Sequence, residues 1–179
     1  MAVLGSGVST VKAAIYAGLK SALGEDAAVL YDEPDNPMAI LSGKDEQVMV
    51  FFGPEIEVDR TVNVMGGTVI RVDEVAELAI VCQVLDAMRD GPAAELDPVA
   101  RQARVDVRLD ELLGAVMSWL NDSANWPRTA GSSSEVSVWS LALVDSLSTR
   151  RCGRLGETEG RAASDVLRVR VTSRREPVS

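Results

Sequence analysis

Gly66-Gly67 stands between Thr61-Val-Asn-Val-Met65 and Thr68-Val-Ile-Arg-Val72, two runs rich in β-branched residues. A two-residue hairpin turn needs positive φ at its central positions, which glycine adopts without steric cost, so the two runs are predicted to fold back on each other as antiparallel strands. That pairing commits the middle of the chain to a sheet built from hairpins. Residues 75–85 are open to two readings: Val75, Leu78, Cys82 and Leu85 fit a helical stripe, while Ala76, Leu78, Ile80, Cys82 and Val84 form an apolar face at strand period. The β-branched Ile80, Val81 and Val84, and the extended run before them, favour a strand.

Further strands surround this segment. Residues 47–52 form an apolar run, Gln-Val-Met-Val-Phe-Phe, stopped by Gly53-Pro54 and hydrophobic enough for burial on both faces over part of its length. Glu55-Ile-Glu-Val-Asp59 alternates strictly, and residues 28–31 make a short strand ended by the acidic, proline-rich loop 32–37. Residues 136–144 and 166–172 supply two more near the end of the chain. Two helices are predicted. In the first, over residues 9–23, Val11, Ile15, Leu19 and Leu23 recur at i+4 with Ala14 and Ala22 on the same side, Ser9 or Thr10 as N-cap and Gly24 as the stop. Asp97-Pro98 opens the second, which runs to Asn121 with Leu109, Leu112, Leu113, Val116 and Leu120 on one stripe. At ~1.5 Å per residue its roughly 25 residues reach about 37 Å, enough to cross a domain face.

Strands grouped consecutively, with few helices, predict an α+β fold: a mostly antiparallel sheet with two helices packed on one face. The 179 residues, 46 % apolar and 25 % charged, suit one domain over residues 1–179, with polar loops near 86–96, 122–134 and 149–163. The glycine- and serine-rich stretch before residue 135 is expected to be mobile.

Several chemistries are excluded by what the chain lacks. It has no histidine, which removes Ser-His-Asp and Cys-His catalysis and imidazole zinc sites. Cys82 and Cys152, the two cysteines, cannot form a four-cysteine zinc site or a disulfide framework. No run approaches the ~18 apolar residues of a membrane span, and no basic region precedes an apolar leader at the amino terminus, so a soluble protein without a signal peptide is expected. Ser9-Thr-Val-Lys12 matches a serine–lysine nucleophile pair, but a serine ahead of an amphipathic run is ordinarily a helix cap. Gly43-Lys44 lacks the rest of a phosphate loop, with Met38 in place of the first glycine and Asp45 after the lysine. Gly5-Ser-Gly7 has Thr10 where a dinucleotide fingerprint needs its third glycine.

Charge is what the sequence distributes most unevenly. Residues 1–149 carry a net charge of −13, whereas residues 150–179 carry eight arginines and a net charge of +4. Such an asymmetry suits nucleic-acid contact or, equally well, head-to-tail contact between copies of one subunit, and the strongly acidic whole argues against general nucleic-acid binding. Glu55, Glu57 and Asp59 form an acidic strand stripe, too spread at ~7 Å per step to share one cation, so neither metal nor cofactor is expected. Arg168 and Arg170 form its counterpart: they share one face of the last strand while Leu167, Val169 and Val171 take the other. The planar guanidinium fork suits a carboxylate surface on a neighbour, so these five charged residues are the candidate subunit or partner interface.

In the order of its features the chain resembles the tail terminator proteins of long-tailed (siphovirus-type) bacteriophages. The resemblance runs through Val11-Lys12-Ala-Ala-Ile15 and Leu19, the strand ending in Gly53-Pro54, the extended stretch to Val84, the helix with Leu112-Leu-Gly-Ala-Val116, and Val166-Leu-Arg-Val-Arg-Val171, the most family-like piece. The polar stretches at 86–96 and 122–134 are longer than a minimal member needs. The resemblance implies a virion structural protein with no enzyme activity and no membrane partner. Such a subunit forms a ring, usually a hexamer, on the head-proximal end of the tail tube, stops tube polymerisation and joins the tail to the head connector. Genomic DNA would pass through the acidic lumen without sequence-specific binding. The alternatives are another phage neck or head-closure protein, or a small metal-dependent cytoplasmic enzyme or binding domain.

Overall fold

In a computed structural model, which describes residues 7–31, 45–52, 58–86, 97–125, 135–143, 151–154 and 160–177, Gly66 and Gly67 take φ of 58° and 79°. These are the positive values that a type I′ hairpin requires. The elements run α1 (Gly7–Leu23), β1 (Ala28–Leu30), β2 (Glu46–Phe52), β3 (Val58–Met65), β4 (Thr68–Asp86), α2 (Pro98–Asn121), β5 (Glu135–Leu143), β6 (Arg151–Arg154) and β7 (Arg161–Pro177). The hairpin joins β3 to β4, and between the pairs Asn63↔Arg71 and Val64↔Val69 one extra residue, Ile70, makes a bulge.

The strand expected over 75–85 and the second arm of the hairpin prove to be one 19-residue strand, β4. It pairs antiparallel with β7 from Val72↔Arg175 to Asp86↔Arg161, and these two long strands form the spine of the sheet. β2 and β3 lie end to end along the outer edge of β4. β5 and β6 do the same along β7, and β1 adds to β2 in parallel. The described strands thus form a mostly antiparallel sheet.

Alternation along β4 separates the two faces. Val72, Glu74, Ala76, Leu78, Ile80, Cys82 and Val84 are buried, and between them Glu77 is exposed while Val75, Ala79 and Val81 are half-buried. Both helices cover the buried face. Val11, Ile15, Leu19 and Leu23 of α1, with Val105, Leu109, Leu112, Leu113, Val116 and Leu120 of α2, pack on Val48, Leu78, Ile80, Cys82, Val84, Leu167, Val169 and Val171. The predicted stripes of both helices are therefore the core, each leucine contributing about 1.5–3 kcal/mol through burial. The fold is α+β, as expected. Gln47, Val48 and Met49 are buried in succession, so β2 is covered on both faces there.

Three local expectations fail. α1 begins at Gly7, which puts Ser9 and Thr10 inside the helix and removes their capping role. Ala22, expected on the apolar side, is exposed, whereas Ala14 is partly buried against the core. Of the loop expected over 149–163, Arg151–Arg154 form β6 and 161–163 begin β7, with Gly153 opposite Ala162, while 149, 150 and 155–159 lie outside the described residues. Ladder hydrogen bonds come from the backbone, so a segment poor in β-branched residues can pair once a neighbouring strand offers a free edge. Of the loop near 86–96, Asp86 ends β4 and 87–96 lie outside the described residues. Of that at 122–134, Ser123–Asn125 form a short 3-10 turn, and 126–134, including the stretch expected to be mobile, lie outside.

Where the helices meet, a Cβ on Gly18 would land within the indole ring of Trp119, so glycine sets how closely α1 approaches α2. Gly114, on the exposed side of α2, has open space around its Cα. Gly18→Ala is therefore expected to destabilise the fold by about 1–3 kcal/mol through overpacking, and Gly114→Ala to stabilise it by about 0.5–1 kcal/mol through helix propensity. Denaturant unfolding of both variants checks this. Equal effects would mean that α1 and α2 do not meet at Gly18.

Candidate interaction surface

The face of the sheet opposite the helices is built by strand alternation alone. Along β7, Leu167, Val169 and Val171 point into the core, so Arg168 and Arg170 are exposed on the other side. Register then brings β4 beside them, with Glu77 opposite Arg170 and Ala79 opposite Arg168. Arg168 Nη1 lies 3.7 Å from Glu77 Oε1, with both side chains half or more exposed. An ion pair this open to water contributes at most about 1 kcal/mol, and it leaves both guanidiniums accessible.

Of the acidic stripe, Asp59 is described, exposed on β3, and Glu55 and Glu57 lie outside the described residues. Asp59 is opposite Val75, which is opposite Thr172, so Asp59 shares the face of Glu77 and Arg170. Two strand spacings across and two residues along put it roughly 12 Å from Arg170. The structure therefore collects Asp59, Arg168 and Arg170 on one surface of one subunit, without direct contact between the acid and the arginines. Glu77, which joins them, was legible as a charged residue between the apolar Ala76 and Leu78 of β4.

A second set of charges anchors α2. Asp97 caps the helix, its Oδ1 accepting from the backbone N–H of Val99 at 2.8 Å and Ala100 at 3.1 Å. Arg104 Nη2 donates to Asp86 Oδ2 at 3.1 Å, and Arg101 Nε lies 3.8 Å from the same oxygen, with Arg101 and Asp86 both buried. Arg108 Nε donates to Glu46 Oε1 at 3.0 Å. The helix is thus pinned to the end of β4 and the start of β2. Sequence reasoning missed this set, although Arg101, Arg104 and Arg108 recur at helical spacing beside Val105 and Leu109.

Lys12, the lysine of the serine–lysine match, is 5 % exposed, with its ammonium 3.9 Å above the ring of Tyr31. Tyr31 meets Tyr16 edge-on at 5.3 Å, and Lys20 Nζ donates to the Tyr16 hydroxyl at 3.1 Å. This arrangement ties α1 to the residue that follows β1 by cation–π and edge-to-face ring contacts. Among the described residues no three of His, Cys, Asp and Glu come together as a metal-ligand set. No protein-family model matches the chain, and no curated protein matches its sequence.

Cys82 is buried in the core, and burial, reinforced by the negative charge of Asp165 opposite it, pushes its thiol up to about 12. The unfolded chain releases that proton near 9.0 and the folded chain only near 12. Between those values only the unfolded chain ionises the thiol, so stability falls with rising pH by at most about 1.4 kcal/mol per unit from this group. Denaturant unfolding at pH 8 and 10 should show a steeper loss for the native chain than for Cys82→Ala. Equal losses would mean that the thiol is solvated.

Proposed function

We propose that this chain is a phage virion structural subunit similar to a tail terminator: it assembles into a ring, hexameric in this reading, that caps the head-proximal end of the tail tube, stops its polymerisation and joins the tail to the head connector. The observation that carries the reading is the division of the sheet into a face closed by two helices and a face that keeps Asp59, Glu77, Arg168 and Arg170 exposed on rigid strands. Charges fixed on strands hold their positions at low entropic cost, which suits a contact repeated between subunits. The elements on which the resemblance rests support it too: the amphipathic first helix, the strand before Gly53, the long extended stretch, the capped long helix and the closing strand occur in the same order. Genomic DNA, in this reading, crosses the lumen held off by like charge, since the chain as a whole carries −9.

The test is charge reversal on that face. Arg168→Glu with Arg170→Glu exchanges exposed side chains and removes only the open pair with Glu77, so unfolding should shift by no more than about 1 kcal/mol. At an interface the same change places like charges together, at a cost of several kcal/mol. The double variant should therefore keep its melting temperature, lose the ring and fail to stop elongation when mixed with polymerising tail-tube subunits. A variant that still assembles and caps removes this face from the interface. One that unfolds puts the two arginines among the interactions holding the fold.

A further inference from the structure

At the end of the sheet nearest Asp86 five strands lie side by side, in the register Ala28↔Gln47↔Gln83↔Ser164↔Arg151 through β1, β2, β4, β7 and β6. Among the described residues neither β1 nor β6 has a second neighbour, so these two strands are the edges. The edges carry opposite charge. Glu25 and Asp26, in the turn that leads from α1 into β1, are both exposed, and neither side chain has a hydrogen-bond or ion-pair partner among the described residues. Residues 25–35 hold five acids and no base. On the other edge Arg151 and Arg154 begin and end β6, Arg161 of β7 is opposite Arg154, and residues 150–161 hold four arginines against two acids. Both charges lie toward the helix side of the sheet, Glu25 and Asp26 at the end of α1 and Arg161 in a groove with Val99, Gln102 and Ala103 of α2.

Neither concentration of charge serves the fold of a single copy. Glu25 and Asp26 stand just past Leu23, the last residue of α1, where a helix presents its negative end and acids are unfavourable. Arg154 and Arg161 are directly opposite in register, and like charges so placed destabilise a strand pair. Asp86, opposite Arg161 on its other side, is turned to Arg101 and Arg104, and Asp106, which shares the groove with Arg161, accepts from Gln102 at 3.0 Å. Arg161 Nε is left buried without a hydrogen-bond partner, a costly position for a charged donor. Four strand spacings, about 19 Å, separate the edges, so one copy cannot partner its own two. A second copy can, because it carries the complementary edge at the same end of its sheet. Strand direction fits as well: β1 and β6 run in opposite directions, so a next copy in the same orientation sets its β1 antiparallel to β6.

We propose that the β1 edge of one copy docks beside the β6 edge of a second copy, bringing Glu25 and Asp26 to the arginine-bearing strand and to Arg161. The contact joins two different surfaces, so it is head-to-tail and leaves each copy one of each edge for the next; it terminates by closing into a ring. It rests on the ring-subunit reading for that closure, and it adds an edge contact to the open face that carries Arg168 and Arg170.

Charge reversal and its rescue in the full chain test the contact. Glu25→Lys with Asp26→Lys exchanges two exposed acids at a helix C-terminus for cations, so the melting temperature should hold or rise, while self-association weakens at least about tenfold. Arg151→Glu with Arg154→Glu should weaken it as much. Mixed in equal amounts, the two variants should assemble again, because each reversed edge then meets the reversed edge of the other variant, and the restored species should contain equal numbers of both. Sedimentation of each variant and of the mixture reads this. Unchanged association of the lysine variant, or a mixture that stays apart when both variants are weakened, overturns the contact and leaves the ring reading standing. If the glutamate variant unfolds, Arg161→Gln replaces it: weakened association at an unchanged melting temperature upholds the contact, and native association overturns it. Association restored only as open chains upholds the contact and overturns the ring. A native chain that stays monomeric at every concentration overturns both.

Discussion

The antiparallel ladder between β4 and β7 is the constraint on which the other elements depend. It sets fifteen residues of each strand in register, from Val72↔Arg175 to Asp86↔Arg161. Because side chains alternate along both strands, that register decides in one step which residues face the helices and which face outward. A slip of one residue in β7 would turn Arg168 and Arg170 into the core and Leu167, Val169 and Val171 out of it. The short strands are secondary: β2, β3, β5 and β6 each occupy part of an edge that the two long strands provide, and β1 adds to β2.

Two helices then close one face, and their placement is not left to hydrophobic contact alone. The apolar stripe of α2 fixes which side of the helix meets the sheet, while the pairs of Arg101 and Arg104 with Asp86, and of Arg108 with Glu46, fix where along the sheet it lies. Hydrophobic burial is non-directional, whereas charge-assisted hydrogen bonds specify position. Asp86 and Arg101 are buried, so losing one partner leaves the other a poorly compensated charge, a strong penalty on any shifted docking of the helix. The face left open carries charge on a rigid scaffold, which is the physical basis for reading the molecule as an assembly subunit.

The sequence showed the fold wherever local chemistry decides. Gly66-Gly67 announced the hairpin, Asp97-Pro98 the start of α2, and the i+4 apolar stripes both helix faces. Alternation in 166–171 placed Arg168 and Arg170 outside and their neighbours inside. What it did not show depends on partners distant in the chain. β6 exists because β7 offers it an edge, not because Arg-Cys-Gly-Arg favours a strand, and the length of β4 follows from its three neighbours, β2, β3 and β7. The arginines of α2 were visible at helical spacing, but their meaning lay in Asp86 and Glu46, which only the sheet brings near. Glu77 became a partner of Arg168 by register.

The central claim is that this protein works as a repeated unit. Native mass spectrometry of the chain over a range of concentrations, alone and with tail-tube subunits, addresses it most directly. The account predicts a discrete species near six times the 19.1 kDa protomer, formed by the chain itself and retained when tube subunits are added. A single 19.1 kDa species under every condition would contradict it.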